Sequence, residues 1–272
     1  MYTAYQKAYP ELAAELDRRV KGLLPTGWEA HLPSFKPGDA AKATRQYSQM
    51  VLEKIVPVLP ELIGGSADLT PSTLTKVKGN ELDFQKATPA GRYLRFGVRE
   101  HGMSAVSNGI AAYGGLIPFA STFLNFVGYA LGAIRVSALS HFRVLFVMTH
   151  DSIGLGEDGP THQPVETLAS LRSMPNMLVI RPADGNETSG AYKVALEHLH
   201  TPTTLALSRQ NCDNLEGSSI ASVALGAYIL QEADGVPQVQ DRIFFTGLKE
   251  WEGGRETRRN EKGKSHKRII GC

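Results

Sequence analysis

The chain has 272 residues, 42% hydrophobic and 21% charged, with a net charge of +2, a composition ordinary for a soluble globular protein and a length that suits one large domain with extensions. Nothing in it approaches a membrane-spanning apolar run, and the N-terminal residues Lys7, Glu11, Glu15, Asp17, Arg18 and Arg19 stand where a signal peptide would need an apolar core. Cys212 and Cys272 cannot build a disulfide framework, which fits a reducing compartment and leaves the sequon at Asn186 without weight. The basic character belongs to the tail: from Asp241 to Cys272 there are nine Lys/Arg against five Asp/Glu, so the remaining 240 residues carry −2. That is no argument for a nucleic-acid surface on the folded part.

In chain order, PELAAELDRRVKGLL predicts an amphipathic helix, and PTGWEAHLPSFKPGD a proline-punctuated connector. Residues 1–40 are therefore expected to form a linker lying on a domain surface. From Thr44, the spacing of Tyr47, Val51, Ile55 and Val58 predicts a helix. Short apolar runs then alternate with helical segments. ELIGG, RYLRFGV, LIPFAST, RVLFVMT, MLVIRP and TTLALS read as strands. HGMSAVSNGIAAYG, FLNFVGYALGAIRVSAL, VETLASLRSM and DGNETSGAYKVALEHL read as helices, the last with Asp184 three residues before Glu187 as a capping-box-like start. FLNFVGYALGAIRVSAL is apolar nearly all round, so it is expected to be buried, with a second subunit as one way of covering it. The alternation predicts an α/β fold, a mainly parallel sheet with helices on both faces, over residues 41–235. After about residue 236 periodicity disappears and charge is dense, so 236–272 is expected to be a disordered basic tail.

The stretch THDSIGLGEDGPTHQP, Thr149–Pro164, is the densest in chemistry. It follows the strand-like RVLFVMT and holds His150, Asp151, Glu157, Asp158 and His162. The other strands end in Asp68, in Glu100 and His101, in Asp184 and in Arg209. Each of these has a bland reading as a helix cap or a solvated charge. Together they gather carboxylates, imidazoles and a guanidinium at the carboxyl ends of the strands, where open α/β sheets bind ligands. Gly154, Gly156 and Gly159 also spell the dinucleotide fingerprint G-x-G-x-x-G. Glu157 and Asp158 would repel a diphosphate there, and Pro160 and Pro164 disturb the helix start that should bind it, so this is the weak reading. A metal site from His150, His162 and Asp158 has suitable ligand types but no recognised spacing, and ranks below a substrate-binding role.

With ATRQYSQ, ELIGGSADLTPSTL, RFGVREHGM, STFLNFVGYA, RPADGNE and LALSRQN, this loop resembles the transketolases, from roughly Pro10 to Glu232 and in that family's order. The match is to the family's pyrimidine-binding domain and the linker leading into it. The resemblance implies thiamine diphosphate chemistry, with a divalent metal (Mg2+ or Ca2+), moving a two-carbon ketol unit from a ketose phosphate to an aldose phosphate in the pentose phosphate pathway. It implies that Glu100 hydrogen-bonds the aminopyrimidine ring from a dry pocket, and that Phe126 stacks on that ring with Phe123 and Tyr129 around it. At their spacing Phe123 and Tyr129 read equally well as core. By the same resemblance Asp158 selects a donor-sugar hydroxyl, His162 helps transfer protons near the reacting carbon, and His150 lines the channel. Arg45, Ser72 and Arg209 anchor the sugar phosphate, and Asp68 is structural or supporting. A cytoplasmic homodimer without nucleic-acid or membrane partners is expected for the full-length family.

Two departures bear on function. The diphosphate and metal ligands of that family have no counterpart here, so the chain is expected to supply half a cofactor site and, alone, to be inactive. The tail after Gln240 matches nothing in the family and reads as out-of-frame or intron-derived sequence, with a genuine basic tail as the rival. Three readings follow: a transketolase fragment, a non-catalytic half-site subunit pairing with a separate diphosphate-binding chain, or a ketol transferase that uses formaldehyde as acceptor.

Overall fold

A computed structural model describes residues 1–233 and 267–271, with side chains through residue 230. Two helices, α1 (Tyr2–Ala8) and α2 (Pro10–Val20), open the chain. After the connector come β1 (Lys42–Ala43), α3 (Thr44–Ile55), β2 (Leu62–Ser66), the short α4 (Thr70–Thr73), β3 (Tyr93–Arg95) and α5 (Glu100–Tyr113). The second half runs β4 (Ile117–Phe123), α6 (Val127–Leu139), β5 (Leu145–Thr149), α7 (Thr167–Arg172), β6 (Leu178–Ile180), α8 (Gly185–Glu197), β7 (Thr203–Leu207) and β8 (Asn211–Cys212). β9 (Tyr228–Ala233) pairs antiparallel with β10 (Lys267–Gly271); the rest of the expected tail lies outside the described residues.

Six strands form one sheet in the order β3-β2-β4-β5-β7-β6, every pair parallel. This is the α/β architecture read from the alternation of strands and helices. Because side chains alternate along a strand, neighbouring residues serve opposite layers. Leu145 and Val147 of β5 join one core with Phe119, Leu205 and Leu207, covered by Val51, Leu52 and Ile55 of α3 and Tyr192 of α8. Phe146 and Met148 join the other, with Ala120 and Ala206, covered by Met103 of α5, Ile134 of α6 and Leu171 of α7. Central strands buried on both faces explain why RVLFVMT is a continuous apolar run rather than an alternating one. β2 is squeezed so tightly that a Cβ on Gly65 would lie 1.7 Å from the carbonyl oxygen of Leu94, which accounts for the glycine pair in LIGGS.

Three elements differ from expectation. The first helix stops at Val20 rather than Leu24, and Gly22 turns the chain with φ +71°. The predicted 123–139 helix begins only at Val127, because β4 runs on through Phe123, held by its pairing with Thr149, and a 3-10 turn (Leu124–Phe126) intervenes. α6 is also buried on one side only: Ala130, Ala133 and Ile134 pack inward while Tyr129, Val136 and Leu139 are exposed. Third, the helix expected from Val165 forms only over Thr167–Arg172. Among the described residues no helix is long and apolar enough to cross a membrane.

The connector is more than an apposed strap. Trp28 and Leu32 belong to the α3/α8 core. Asn186 of α8 accepts from the Phe35 N–H at 2.8 Å and donates to the Phe35 carbonyl at 3.0 Å, and Ser189 donates to the Pro33 carbonyl at 2.7 Å. Asn186 is buried by these contacts, so the sequon is closed to modification. At the start of α8, Asp184 accepts from the N–H groups of Glu187 (2.9 Å) and Leu215 (3.0 Å) and from the Ser218 hydroxyl, while Glu187 reaches back to the Ala183 N–H at 2.8 Å. Asp184 is therefore a structural cap. Two stability outcomes follow, both readable by urea unfolding. Trp28→Ala should cost about 3 kcal/mol or more through the cavity it leaves in the core. Asp184→Ala should cost about 2–4 kcal/mol, combining the lost cap with the buried donors left unmatched.

Candidate active site

All six strands of the sheet end at one edge, and the loops there carry the chemistry. β5 ends at Thr149, and His150 turns the chain sharply with φ +58°, a left-handed conformation rare for any residue but glycine, asparagine or aspartate. What holds it is visible on both sides. Thr149 Oγ1 hydrogen-bonds His150 Nδ1 at 2.8 Å, and the following Asp151, itself buried, accepts from Arg181 Nε at 2.7 Å. Arg181 follows β6, so this ion pair reaches over β7 to clamp the loop.

The His150 ring stacks on Phe123, with centroids 3.7 Å apart and planes at 24°. Phe126 also stacks on Phe123, at 5.6 Å and 12°. His162 completes the group edge-on, 5.2 Å from Phe126 and 5.9 Å from Phe123, its Nδ1 bonded to Thr161 Oγ1 at 2.8 Å. Both imidazoles thus have Nδ1 engaged by the preceding threonine and Nε2 left over. The Thr-His dipeptide occurs twice in the loop, a local sequence signal for this pairing. Asn125 holds the Thr161 carbonyl, and Gln163 Nε2 donates to the Gly156 carbonyl at 3.1 Å, which tie the loop to the 3-10 turn after β4 and to itself. Tyr129, 6.0 Å from Phe126, is largely exposed and stands at the rim of the aromatic group.

Cations gather beside these rings. Arg45, in the first turn of α3, donates to the Ser72 carbonyl at 2.6 Å, so it is the backbone of Ser72 that the structure ties to Arg45. Burial, and then the charge of Arg209, hold the Arg45 guanidinium below its ordinary value, with Asp158 pulling the other way. No carboxylate among the described residues lies within ion-pair distance of Arg45 or Arg209. Asp158 and Arg209 are exposed, and the Nε of Arg45 is buried without a partner. Glu100 is buried in the first turn of α5, a helix packed on α6, and nothing among the described residues hydrogen-bonds its carboxylate. Asp68 is exposed, at φ +64°, beside this edge.

The competing readings of the loop lose their geometry. After Gly159 no helix begins until Thr167, so the G-x-G-x-x-G stretch presents no helix N-terminus to a diphosphate. Among the described residues no group of three or more His, Cys, Asp or Glu is placed to hold a metal ion.

Comparison with known proteins places this α/β domain in a family. Residues 40–214 match the family model for the transketolase pyrimidine binding domain. The chain is 59% identical over 240 residues to the transketolase of Scheffersomyces stipitis, covering 86% of this chain and 35% of that relative, and 58% identical over 238 residues to transketolase 1 of Saccharomyces cerevisiae, covering 85% and 35%. A Pichia stipitis transketolase crystal structure in complex with sedoheptulose 7-phosphate superposes with a TM-score of 0.83 at 59% identity, over 86% of this chain and 35% of that one. A split-gene transketolase described as an inactive β4 tetramer gives a TM-score of 0.52 at 33% identity, over 65% of this chain and 54% of that one. The chain belongs to the transketolase family, and it spans about a third of the length of these full-length relatives.

His150 supplies a pH test. Burial first, then the charges of Arg45, Arg209 and His162, push its pKa down to about 4, against a smaller opposing pull from Asp158. Its folded pKa lies below the ordinary 6.5, so the unfolded chain binds the extra proton first as pH falls. Stability from this group is complete above about pH 6.5 and is lost between there and pH 4. The His150 ring protons should titrate below pH 5 by NMR, and His150→Gln should flatten the stability profile between pH 6.5 and 4. An ordinary titration near 6.5 would mean the ring is solvated.

Proposed function

We propose that this chain forms the pyrimidine-binding half of a thiamine diphosphate site for ketol transfer from a ketose phosphate to an aldose phosphate. The observation that carries the reading is the aromatic and imidazole group Phe123, Phe126, His150 and His162 at the carboxyl edge, together with Glu100 at the start of α5, buried and without a hydrogen-bond partner among the described residues. A carboxylate without a donor among the described residues is open to accept from a ligand N–H. An aromatic face suits a pyrimidine ring, and the residues present fit that end of the cofactor. They do not fit its other end, because the described residues offer no ligand set for a divalent metal. When bound, thiamine diphosphate supplies the carbanion chemistry that moves the two-carbon unit.

The chain's own residues then divide the work. Phe126 stacks on the pyrimidine, Phe123 backs it, and Tyr129 closes its outer rim. Glu100 accepts a hydrogen bond from the ring and keeps a proton in play there. His162 presents Nε2 for proton transfer near the reacting carbon, since Thr161 holds Nδ1. His150, kept neutral by burial, presents Nε2 to line the channel. Asp158 accepts from a sugar hydroxyl. Arg45 and Arg209, two guanidiniums with no carboxylate within ion-pair distance among the described residues, receive the phosphate, with Ser72 beside them.

Half a site needs a complement. The outward apolar residues Val106 and Tyr113 of α5 and Tyr129, Leu131, Val136 and Leu139 of α6 are the face we assign to a second copy in a homodimer. The likeness to a split-gene transketolase favours a second reading, in which a separate chain supplies the diphosphate-binding half.

The test is complementation. The purified chain with thiamine diphosphate, magnesium, a ketose phosphate and an aldose phosphate should show no turnover. Adding a separately produced diphosphate-binding domain should restore it. Failure of restoration with both folded parts, or turnover by the chain alone, would overturn the half-site reading. In the complemented enzyme Glu100→Ala should lower turnover by about 10²-fold or more. Arg209→Ala should raise KM about 10- to 100-fold for phosphorylated acceptors and little for unphosphorylated ones; equal effects would remove Arg209 from the phosphate site.

A further inference from the structure

At the opposite end of the sheet lies a cavity of about 330 Å³ that the proposed function does not use. It sits where α2 and the start of the connector cross the amino ends of β4, β5 and β7, and Arg19, Lys21, His141, Arg143, His200 and Gly115 contribute to its walls. Its lining contains no carboxylate. The nearby charges do not cancel. Arg18 and Arg19 share Glu61 and Glu15, at 2.6 Å for Arg18–Glu61, leaving Lys21 and Arg143 without an ion-pair partner among the described residues.

Arg143 is the unusual member. It is largely buried, and burial pushes its pKa down to about 10. Its one hydrogen bond runs from Nη1 to the Leu196 carbonyl at 3.0 Å, which leaves its other donors unused. Gly22, at φ +71°, lets the chain pass so close that a Cβ there would fall 2.7 Å from Leu199 and 3.6 Å from Arg143 Nη2. On the far wall, between the positive-φ Gly114 and the start of β4, the N–H of Gly115 has no acceptor among the described residues. The ends of α5, α6 and α8 point here and absorb part of the positive field. One carbonyl of each already has a donor: Leu196 has Arg143, Ala138 has Asn176 and Ile110 has the Gly114 N–H.

We propose that this cavity binds a phosphate dianion, free or as the phosphate group of a small ester, between Arg143, Lys21 and the Gly115 amide. Its volume suits a ligand of that size. A guanidinium, a lysine and an amide without an acceptor among the described residues, lining one cavity, make a phosphate cradle when no carboxylate competes.

The full chain, 15N-labelled, would be titrated at low ionic strength with inorganic phosphate, with glycerol 3-phosphate and with glycerol. Saturable shifts of the Gly115 and Leu116 amides are expected with both phosphates and not with glycerol. Equal affinities would identify free phosphate as the ligand, and tighter binding of the ester would identify the ester. R143M should weaken binding about tenfold or more, and K21A, which alters an exposed side chain and is safe for folding, should weaken it several-fold. R209A should leave these shifts unchanged, which separates this cavity from the carboxyl-edge site. Shifts confined to residues around Arg45 and Arg209, or K21A and R143M binding as well as the parent chain, would overturn the proposal.

Discussion

The pairing of Phe123 with Thr149, the last rung between β4 and β5, is the constraint on which the rest of the site hangs. It sets two strand ends level. The chain then leaves β4 through a 3-10 turn carrying Phe126, and leaves β5 through the left-handed His150. The stacked rings of Phe123 and His150 follow from that level ending. A slip of one residue would turn each side chain to the other face of the sheet and separate the pair. The slip is prevented far from the rings, by Leu145 and Val147 belonging to one core and Phe146 and Met148 to the other. Packing deep in the sheet thus determines geometry at its edge.

Electrostatics at the same edge pull in one direction. Burial already disfavours a charged His150, and Arg45 and Arg209 add to that penalty. Two guanidiniums near one another and near a buried imidazole are an unfavourable set in the absence of an anion. Two of the three are anchored by neutral groups, Arg45 by the Ser72 carbonyl and His150 by Thr149, and Arg209 is exposed to solvent. A site of this kind spends stability on being ready for a negatively charged ligand.

The sheet was legible in the sequence because each strand is short, apolar and bounded by polar loops, and because strand and helix alternate without exception from Leu62 to Leu207. What was not legible depends on long-range contacts. FLNFVGYALG reads as helix from its first residue, yet Phe123 is strand, since a ladder partner twenty-six residues later outweighs local preference. The connector's prolines suggest a surface strap, but nothing local reveals that Trp28 and Leu32 reach a core built by α3 and α8. The strand-end rule brought Glu100, His150, His162, Asp158 and Arg209 to one edge from sequence alone. The clamp of Asp151 by Arg181 spans thirty residues and had no local mark, and the doubled Thr-His dipeptide was a local mark that passed unread.

The two ends of the sheet also solve anion binding differently, and the parallel topology is the reason. Every helix that follows a strand runs back against it, so helix N-termini collect at the carboxyl edge and C-termini at the amino edge. At the carboxyl edge the partial positive charge of α3, α5 and α8 comes with the fold. Exposed Arg209 and half-buried Arg45 need only add direction to it. At the amino edge the helix ends work against an anion, so a cradle there requires real cations in excess of the carboxylates around them. That excess is what Lys21 and the largely buried Arg143 provide. The three helix C-termini favour the Arg143 guanidinium but not an anion beside it, so a dianion there is held by the charge and donors of side chains rather than by the helices.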